Sequence, residues 1–125
     1  MNERRQASLD RTFSQADFDR FARLSGDANS LHVDPEFAQR SRFGRTVAHG
    51  MLLLTVLRGL VERLAPGGRV VEQQVMFPAP TFTGEPMRFA AKISDRSPGA
   101  STIELAVRRL ADGEITCRGS CRVET

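Results

Sequence analysis

One apolar segment, residues 47–64, limits what this chain can fold into more than any other feature of the sequence. Its first half carries almost no polar residue, and Arg58, Glu62 and Arg63 come only toward its end. Its length and apolar content predict a helix, and a helix that is apolar nearly all round is buried on all sides. Residues 65–68, Ala-Pro-Gly-Gly, end it. The rest of the chain must therefore wrap this helix.

The residues after this segment alternate between apolar and polar side chains, which is typical of strands. Strands are predicted over residues 69–77, 87–94, 101–110 and 114–123, and Asp112-Gly113 is a hairpin turn signal. The predicted inner face contains Val71, Val75, Phe77, Met87, Phe89, Ala91, Ile93, Ile103, Leu105, Val107, Ile115, Cys117, Gly119, Cys121 and Val123. One apolar face per strand indicates an antiparallel sheet. We therefore predict an α+β fold in which a curved antiparallel sheet wraps around the central hydrophobic helix.

The segment before the apolar helix predicts an edge strand followed by a capped helix. Residues 7–13 fit a short edge strand or an extended segment that leads into the helix. Ser14 then begins a helix, because Ser14 and Asp17 stand at capping-box spacing with Asp in place of the usual Glu. Gly26 is expected to end this helix, since glycine readily adopts the left-handed conformation found at helix C-termini.

A second short helix is predicted after an irregular connection over residues 27–33. Asp34 fits the N-cap of this helix and Pro35 its first position. Its expected buried side is Phe37 and Ala38.

Composition is typical of a globular protein and argues against membrane and nucleic-acid partners. Hydrophobic residues make up 40% and charged residues 26%, and 125 residues predict one domain over positions 1–125. The first ten residues contain no apolar signal-peptide core, and no run of 18 apolar residues exists, so no membrane partner is expected. Although 17 of the 18 basic residues are Arg, they are scattered. A solvated surface is therefore favoured over a nucleic-acid site.

The two cysteines, Cys117 and Cys121, indicate a reducing compartment. Four positions apart in a strand, they lie on one face about 13 Å apart. That distance is too long for a disulfide bond. The chain has no other cysteine, so we predict a reduced, cytoplasmic protein in which this pair binds no metal.

Two short motifs flank the start of the apolar helix. Residues 26–32 are Gly-Asp-Ala-Asn-Ser-Leu-His, and residues 48–51 are Ala-His-Gly-Met. They resemble the patterns Gly-Asp-x-Asn-Pro-Leu-His and His-Gly-Met of the MaoC-like, (R)-specific enoyl-CoA hydratase family, also called hydratase 2, which has the hotdog fold. Ser30 stands where the family usually has Pro. The resemblance covers nearly the whole chain and includes Phe77, Pro80, Gly84 and Glu85.

This resemblance implies reversible syn hydration of a trans-2-enoyl-CoA to a (3R)-3-hydroxyacyl-CoA. No metal or separate cofactor is expected, because coenzyme A is part of the substrate. A homodimer is also implied, with the two sheets joined edge to edge and the acyl tunnel near the interface. Two alternatives stay open: a (3R)-3-hydroxyacyl-carrier-protein dehydratase, and a non-catalytic acyl-CoA-binding hotdog subunit.

Hydration needs an activated water, a proton for C2 and a group that holds negative charge on the thioester oxygen. Asp27 and His32 are the predicted catalytic pair, because a carboxylate and an imidazole can position one water and shuttle its protons. Which of them acts as base stays open, and so does a purely structural role for each. Asn29 is predicted to orient the loop or the histidine. The Gly50 backbone N–H, at a helix N-terminus, is the predicted oxyanion donor, with a packing glycine as the alternative.

Three further residues are candidates for substrate binding, and one is predicted to be structural. Met51 follows the predicted oxyanion donor, and Arg42 and Arg45 lie in the loop before the apolar helix, where they could contact the phosphates of coenzyme A. His49 is expected to help hold the helix entry.

Overall fold

The computed structural model describes residues 5–125, and within them it contains five strands and four helices. In chain order they are β1 (Gln6–Thr12), α1 (Gln15–Ser25), α2 (Ser30–Val33), α3 (Pro35–Arg40), α4 (Gly50–Leu64), β2 (Arg69–Met76), β3 (Pro86–Ser97), β4 (Ala100–Arg109) and β5 (Ile115–Glu124). Residues 1–4, which the single-domain prediction included, lie outside the described residues.

All five strands belong to one antiparallel sheet of order β1-β3-β4-β5-β2. Short turns join β3 to β4 and β4 to β5, and the second turn contains Asp112 and Gly113 as predicted. β1 lies at one edge of the sheet, which confirms the predicted edge strand, and β2 lies at the other. The sheet therefore places the strand that follows α4 along an open edge.

Helix α4 packs one face against the inner face of this sheet. Its buried residues are Leu53, Leu54, Leu57, Leu60, Val61 and Leu64. The predicted inner faces of β3 and β4 are confirmed, since Met87, Phe89, Ala91, Ile93, Ile103, Leu105 and Val107 are all buried in the same core. The predicted antiparallel sheet around a central helix is thus confirmed.

The prediction that α4 is buried on all sides is wrong. Met51 is 55% exposed, and Thr55 and Gly59 also lie at the surface, because the sheet covers only one side of the helix. The helix also begins later than predicted, at Gly50. Val47 instead forms an isolated bridge with Phe82, which keeps residues 47–49 extended.

Edge strand β2 differs from its predicted alternation. A register shift between Val70 and Glu72 turns Val70 toward the core and leaves Val71 41% exposed. Phe77, also predicted to face inward, follows the strand and is 42% exposed. Strict alternation fails here because a bulge adds one residue on the strand with a single neighbour.

The helix boundaries in the first fifty residues follow the predicted caps. Ser14 and Asp17 form both hydrogen bonds of a capping box, and Gly26 ends α1 with φ of +81°. Asp34 caps α3 as predicted. Two details were wrong: the expected irregular connection contains the one-turn helix α2, and Phe37 is 44% exposed, because only Ala38 turns inward from α3.

Candidate active site

Asp27 lies directly after the left-handed Gly26 at the end of α1. Its backbone N–H donates to the Ser25 Oγ at 3.1 Å, and its Oδ1 accepts the backbone N–H of Asn29 at 3.3 Å. The side chain is 56% exposed. The turn therefore presents a carboxylate that keeps Oδ2 open to solvent or to a ligand.

Helix α2 places His32 beside this carboxylate. Asn29 caps the helix, since its Oδ1 accepts the Leu31 N–H at 2.9 Å. One turn later the His32 Nε2 lies 3.7 Å from the Asp27 Oδ2. The structure thus brings the two predicted catalytic residues together, with Asn29 shaping the turn between them.

The tautomer of His32 follows from its other nitrogen. Nδ1 lies 2.8 Å from the Val47 carbonyl oxygen, which can only accept, so the neutral ring carries its proton on Nδ1. The Nε2 lone pair is then free and faces Asp27. The segment is held in register by a second bond, in which the Val47 N–H donates to the Leu31 carbonyl at 3.0 Å.

His49, predicted to be structural, contacts both members of this pair. It is 3% exposed, its Nε2 lies 2.8 Å from the Asp27 carbonyl oxygen, and its ring stacks on His32 with centroids 3.9 Å apart. Phe21 packs edge-on against the same ring at 4.9 Å. Burial lowers the pKa of His49, and the neighbouring His32 lowers it further against the opposing hydrogen bond to Asp27. His49 is therefore a neutral ring at neutral pH.

Gly50 begins α4 immediately after His49, so its backbone N–H belongs to the first turn, where no intrahelical acceptor exists. A Cβ at this position would lie 2.7 Å from the Phe77 Cζ, so any larger residue would have to displace the half-exposed Phe77 ring. The packing alternative is thus supported by geometry, and it is compatible with the N–H acting as a donor.

A cavity of about 370 Å³ opens beside Gly50. Arg42 and Phe77 lie in its lining, and Thr116 lies at its base, where its hydroxyl accepts from Thr81 at 2.8 Å. Thr116 is fully buried, and this bond satisfies its hydroxyl. Neither this cavity nor a larger one of about 650 Å³ is lined by Asp27 or His32, and of the two only the smaller one is lined by Gly50. The smaller cavity is therefore the candidate substrate site.

The three predicted substrate-binding residues lie in different surroundings. Arg42 lines the cavity beside Gly50, with its guanidinium 4.8 Å from the Phe43 ring centroid. Arg45 is instead paired with Glu85 at 3.2 Å and lines the larger cavity. Met51 is exposed in the first turn of α4. Only Arg42 and Met51 are thus placed next to the predicted oxyanion donor.

Gln15, which sequence reasoning missed, fixes the main chain of His32. Its Nε2 donates to the His32 carbonyl at 2.8 Å, and its Oε1 accepts the Thr46 hydroxyl at 2.7 Å. The only sequence signal for Gln15 was its place in the first turn of α1, directly after the N-cap Ser14. Helix α1 therefore holds the histidine segment from one side while Val47 holds it from the other.

Asp27, His32 and His49 each offer one potential metal-ligand atom, and these atoms lie within 4.8 Å of one another. Their geometry does not fit a metal ion. The His32 and His49 ring planes are 23° apart and stacked, so an ion about 2.0–2.1 Å from both rings would lie far out of at least one ring plane. The His49 Nε2 is also occupied by the Asp27 carbonyl.

Within residues 5–125 no helix has the length and apolar character needed to cross a membrane.

Comparison with known proteins places this chain in a protein family. A model of the MaoC like domain matches residues 1–115. An (R)-specific enoyl-CoA hydratase from Rhodospirillum rubrum is 30% identical over 125 residues, covering 98% of this chain and 87% of the relative. One from Aeromonas caviae is 40% identical over 82 residues, which cover 64% of this chain but only 61% of the relative.

A related dehydratase and a solved structure extend the comparison. The mitochondrial 3-hydroxyacyl-[acyl-carrier-protein] dehydratase of Arabidopsis thaliana is 35% identical over 75 residues, covering 60% of this chain and 45% of the relative. The (R)-hydratase from A. caviae involved in PHA biosynthesis superposes with a TM-score of 0.91 at 28% identity, covering 99% of this chain and 96% of that one.

Proposed function

This chain belongs to the MaoC-like domain family of hydratases and dehydratases, and we propose that it is an (R)-specific enoyl-CoA hydratase. The reaction is the reversible syn addition of water to a trans-2-enoyl-CoA, which gives a (3R)-3-hydroxyacyl-CoA. One observation carries the proposal: the Asp27 carboxylate lies 3.7 Å from the free Nε2 of His32, beside the start of helix α4.

Both members of the pair are hydrogen-bond acceptors in this tautomer. A single water can therefore donate one hydrogen to the Asp27 Oδ2 and the other to the His32 Nε2, which aims its oxygen lone pair at C3 of the substrate. As the C3–O bond forms, the π electrons move onto the thioester as an enolate, and the water proton passes to His32 Nε2. The imidazolium then returns that proton to C2. Because one group takes and delivers the proton, addition occurs on one face.

The Gly50 N–H supplies the charge stabilisation that this step needs. The enolate oxygen develops its negative charge against the first turn of α4, where the unpaired N–H groups and the helix dipole favour an anion. One such donor is typically worth about 3–4 kcal/mol of barrier. Because residue 50 is glycine, it has no side chain of its own between the donor and the substrate.

Asn29 and Arg42 support binding in this proposal. Asn29 caps α2 and so sets the turn that separates the pair. Arg42, which lies over Phe43 beside the cavity, contacts a phosphate of the coenzyme A, and Met51 covers the acyl chain. Arg45 is assigned no contact with substrate, because its charge is already paired with Glu85.

We further propose a homodimer formed along the free edge of β2. That edge has no strand neighbour within the described residues, and Val71, Met76 and Phe77 leave apolar surface exposed along it. Phe77 also borders the candidate substrate cavity, so pairing of two β2 edges would close the site. Sedimentation at micromolar concentration should show a dimer, whereas a monomer would contradict this proposal.

The state of the cysteines supports a cytoplasmic location. Cys117 and Cys121 are both buried free thiols. Free thiols persist where glutathione keeps the compartment reducing.

Loss of enoyl-thioester absorbance with crotonyl-CoA tests the proposed reaction. Wild type should turn over, and Asp27→Asn and His32→Gln should each lose about 10²–10⁴-fold in kcat while folding normally by circular dichroism. Asp34→Asn, which changes only the cap of α3, is the matched control and should retain activity. Arg42→Met should raise KM several-fold with kcat unchanged. Inactivity of wild type on crotonyl-CoA, longer enoyl-CoAs and an acyl-carrier thioester would reject the proposal.

A further inference from the structure

The most constrained side chain near the reacting pair is one to which the proposed reaction assigns no step. His49 is 97% shielded from solvent, and it is one of only two histidines in the chain. If His49 only filled space, it would destabilise the fold at a cost in free energy, because its buried Nδ1 has no hydrogen-bond partner among the described residues. Some other contact of this ring must offset that cost.

The ring makes two such contacts, one to each member of the pair. Nε2 lies 2.8 Å from the Asp27 carbonyl oxygen, and since that carbonyl can only accept, Nε2 carries the proton and donates. The flat face of the ring lies against the His32 imidazole at 3.9 Å, with Phe21 edge-on at 4.9 Å on the same ring. One side chain thus contacts both residues that hold the water.

These contacts also tie the pair to the oxyanion donor. His49 is the N-cap residue of α4, so its backbone is joined directly to Gly50, while its side chain reaches back 22 positions to residue 27. The Nε2 hydrogen bond of His49 therefore links the turn that carries Asp27 directly to the start of the helix. A small rotation of that turn would change the distance between the water and the enolate site.

We propose that His49 is a positioning residue, whose Nε2–H fixes the main chain of Asp27 and whose ring face sets the orientation of His32. This inference rests on the proposed hydratase function. Since His49 does not touch the reacting atoms, its loss should lower kcat through misplacement of the pair while KM stays within about twofold. A misplacement of about 1 Å is worth up to about 100-fold in rate.

Three variants separate the two contacts. His49→Gln keeps an N–H donor near the Nε2 position without a ring, and His49→Phe keeps the ring without the donor. His49→Ala removes both. We expect a kcat loss of about 100-fold for His49→Ala and about tenfold for each of the other two. Leu60→Ala, buried on the same helix away from the pair, is the control for simple destabilisation and should keep the wild-type kcat.

Nitrogen-detected NMR of the histidine rings gives a readout independent of turnover, and two histidines allow unambiguous assignment. In wild type, His49 should be protonated on Nε2 and His32 on Nδ1, and in His49→Ala the His32 resonances should broaden or show a mixture of tautomers. A His49 protonated on Nδ1, or a folded His49→Ala with wild-type kcat, would overturn the proposal. So would equal kcat losses in His49→Ala and Leu60→Ala at matched melting temperatures.

Failure of the proposed hydratase function and failure of the positioning role of His49 give different results. If wild type itself hydrates no enoyl thioester, the proposed function is wrong, while the NMR measurement still decides whether His49 positions His32. If wild type is active and the His49 variants match it, only the positioning role is wrong.

Discussion

Two polar centres lie in this fold, and they differ in how fully their hydrogen bonds are satisfied. The arginine cluster comprises Arg109, Glu85, Asp112 and Glu114, and the histidine cluster comprises Asp27, His32 and His49. In the arginine cluster the guanidinium, 10% exposed, reaches the three carboxylates at 3.0–3.2 Å and also donates to the Pro80 carbonyl at 3.0 Å. In the histidine cluster the Asp27 Oδ2 and the His32 Nε2 are 3.7 Å apart, and the buried Nδ1 of His49 has no partner among the described residues.

The difference separates a structural role from a chemical one. Four of the five guanidinium N–H groups of Arg109 have an acceptor, so the arginine cluster has little capacity left for a ligand and serves to join the loop before β3 to the β4–β5 turn. In the histidine cluster the free Nε2 of His32 and the exposed Oδ2 of Asp27 leave a gap that one water can bridge. The nearly saturated cluster is suited to stabilising the fold, whereas the unsaturated one keeps the open acceptor atoms that the proposed reaction needs.

Breaking the nearly saturated cluster should affect stability far more than chemistry. Arg109→Met leaves Glu85, whose side chain is 15% exposed, with Arg45 as its remaining ionic partner, and the lost charged hydrogen bonds should lower the free energy of unfolding by about 2 kcal/mol. Urea denaturation measures the loss, and kcat of the remaining folded enzyme should change less than threefold. Arg108→Met, on the exposed face of the same strand, is the control. A large kcat loss with unchanged stability would reverse the assignment.

A smaller effect, on kcat, is expected from Gln15, which joins helix α1 to the histidine cluster. Gln15→Leu removes the donor to the His32 carbonyl while keeping the size of the side chain. The lost hydrogen bond is worth about 1 kcal/mol, so kcat should fall about fivefold with little change in KM. Gln39→Leu, exposed on α3, should behave as wild type. If Gln15→Leu changed KM alone, the bond would not be orienting His32.

The smallest expected effect is a pH dependence of stability from His49. Its folded-state pKa is lowered by burial, so below about pH 6.5 the unfolded chain binds a proton that the folded chain does not. Stability should therefore fall as the pH drops from about 7 toward 5.5, as measured by the denaturant midpoint. His49→Phe should lose this part of the dependence. An identical slope in both proteins would show that the ring is not kept neutral.

The sequence was informative wherever a local pattern determined the structure. Alternation identified the buried faces of β3 and β4, and the spacing of Ser14 and Asp17 identified a helix start, because these signals depend on residues a few positions apart. Edge strand β2 was less predictable, since the bulge at Val70 depends on its pairing with β5. The exposure of Met51 depends on how much of α4 the sheet covers, which no local pattern records.

The candidate site divides in the same way. The sequence motifs predicted Asp27, His32 and Gly50 as site residues. The motifs could not predict the distances and contacts between these residues. His49 donates to a carbonyl 22 positions away and Gln15 to one 17 positions away. A backbone acceptor leaves no mark on the sequence, because every residue has a carbonyl. Such contacts appear only when the elements are packed.

Hydration of crotonyl-CoA in deuterium oxide tests the central claim most directly, namely that Asp27 and His32 use one water on one face of the substrate. The product should be (3R)-3-hydroxybutyryl-CoA with a single deuterium at C2, added on the same face as the hydroxyl, and His32→Gln should slow its formation by about 10²–10⁴-fold. A (3S) product, or deuterium on the opposite face, would contradict the account.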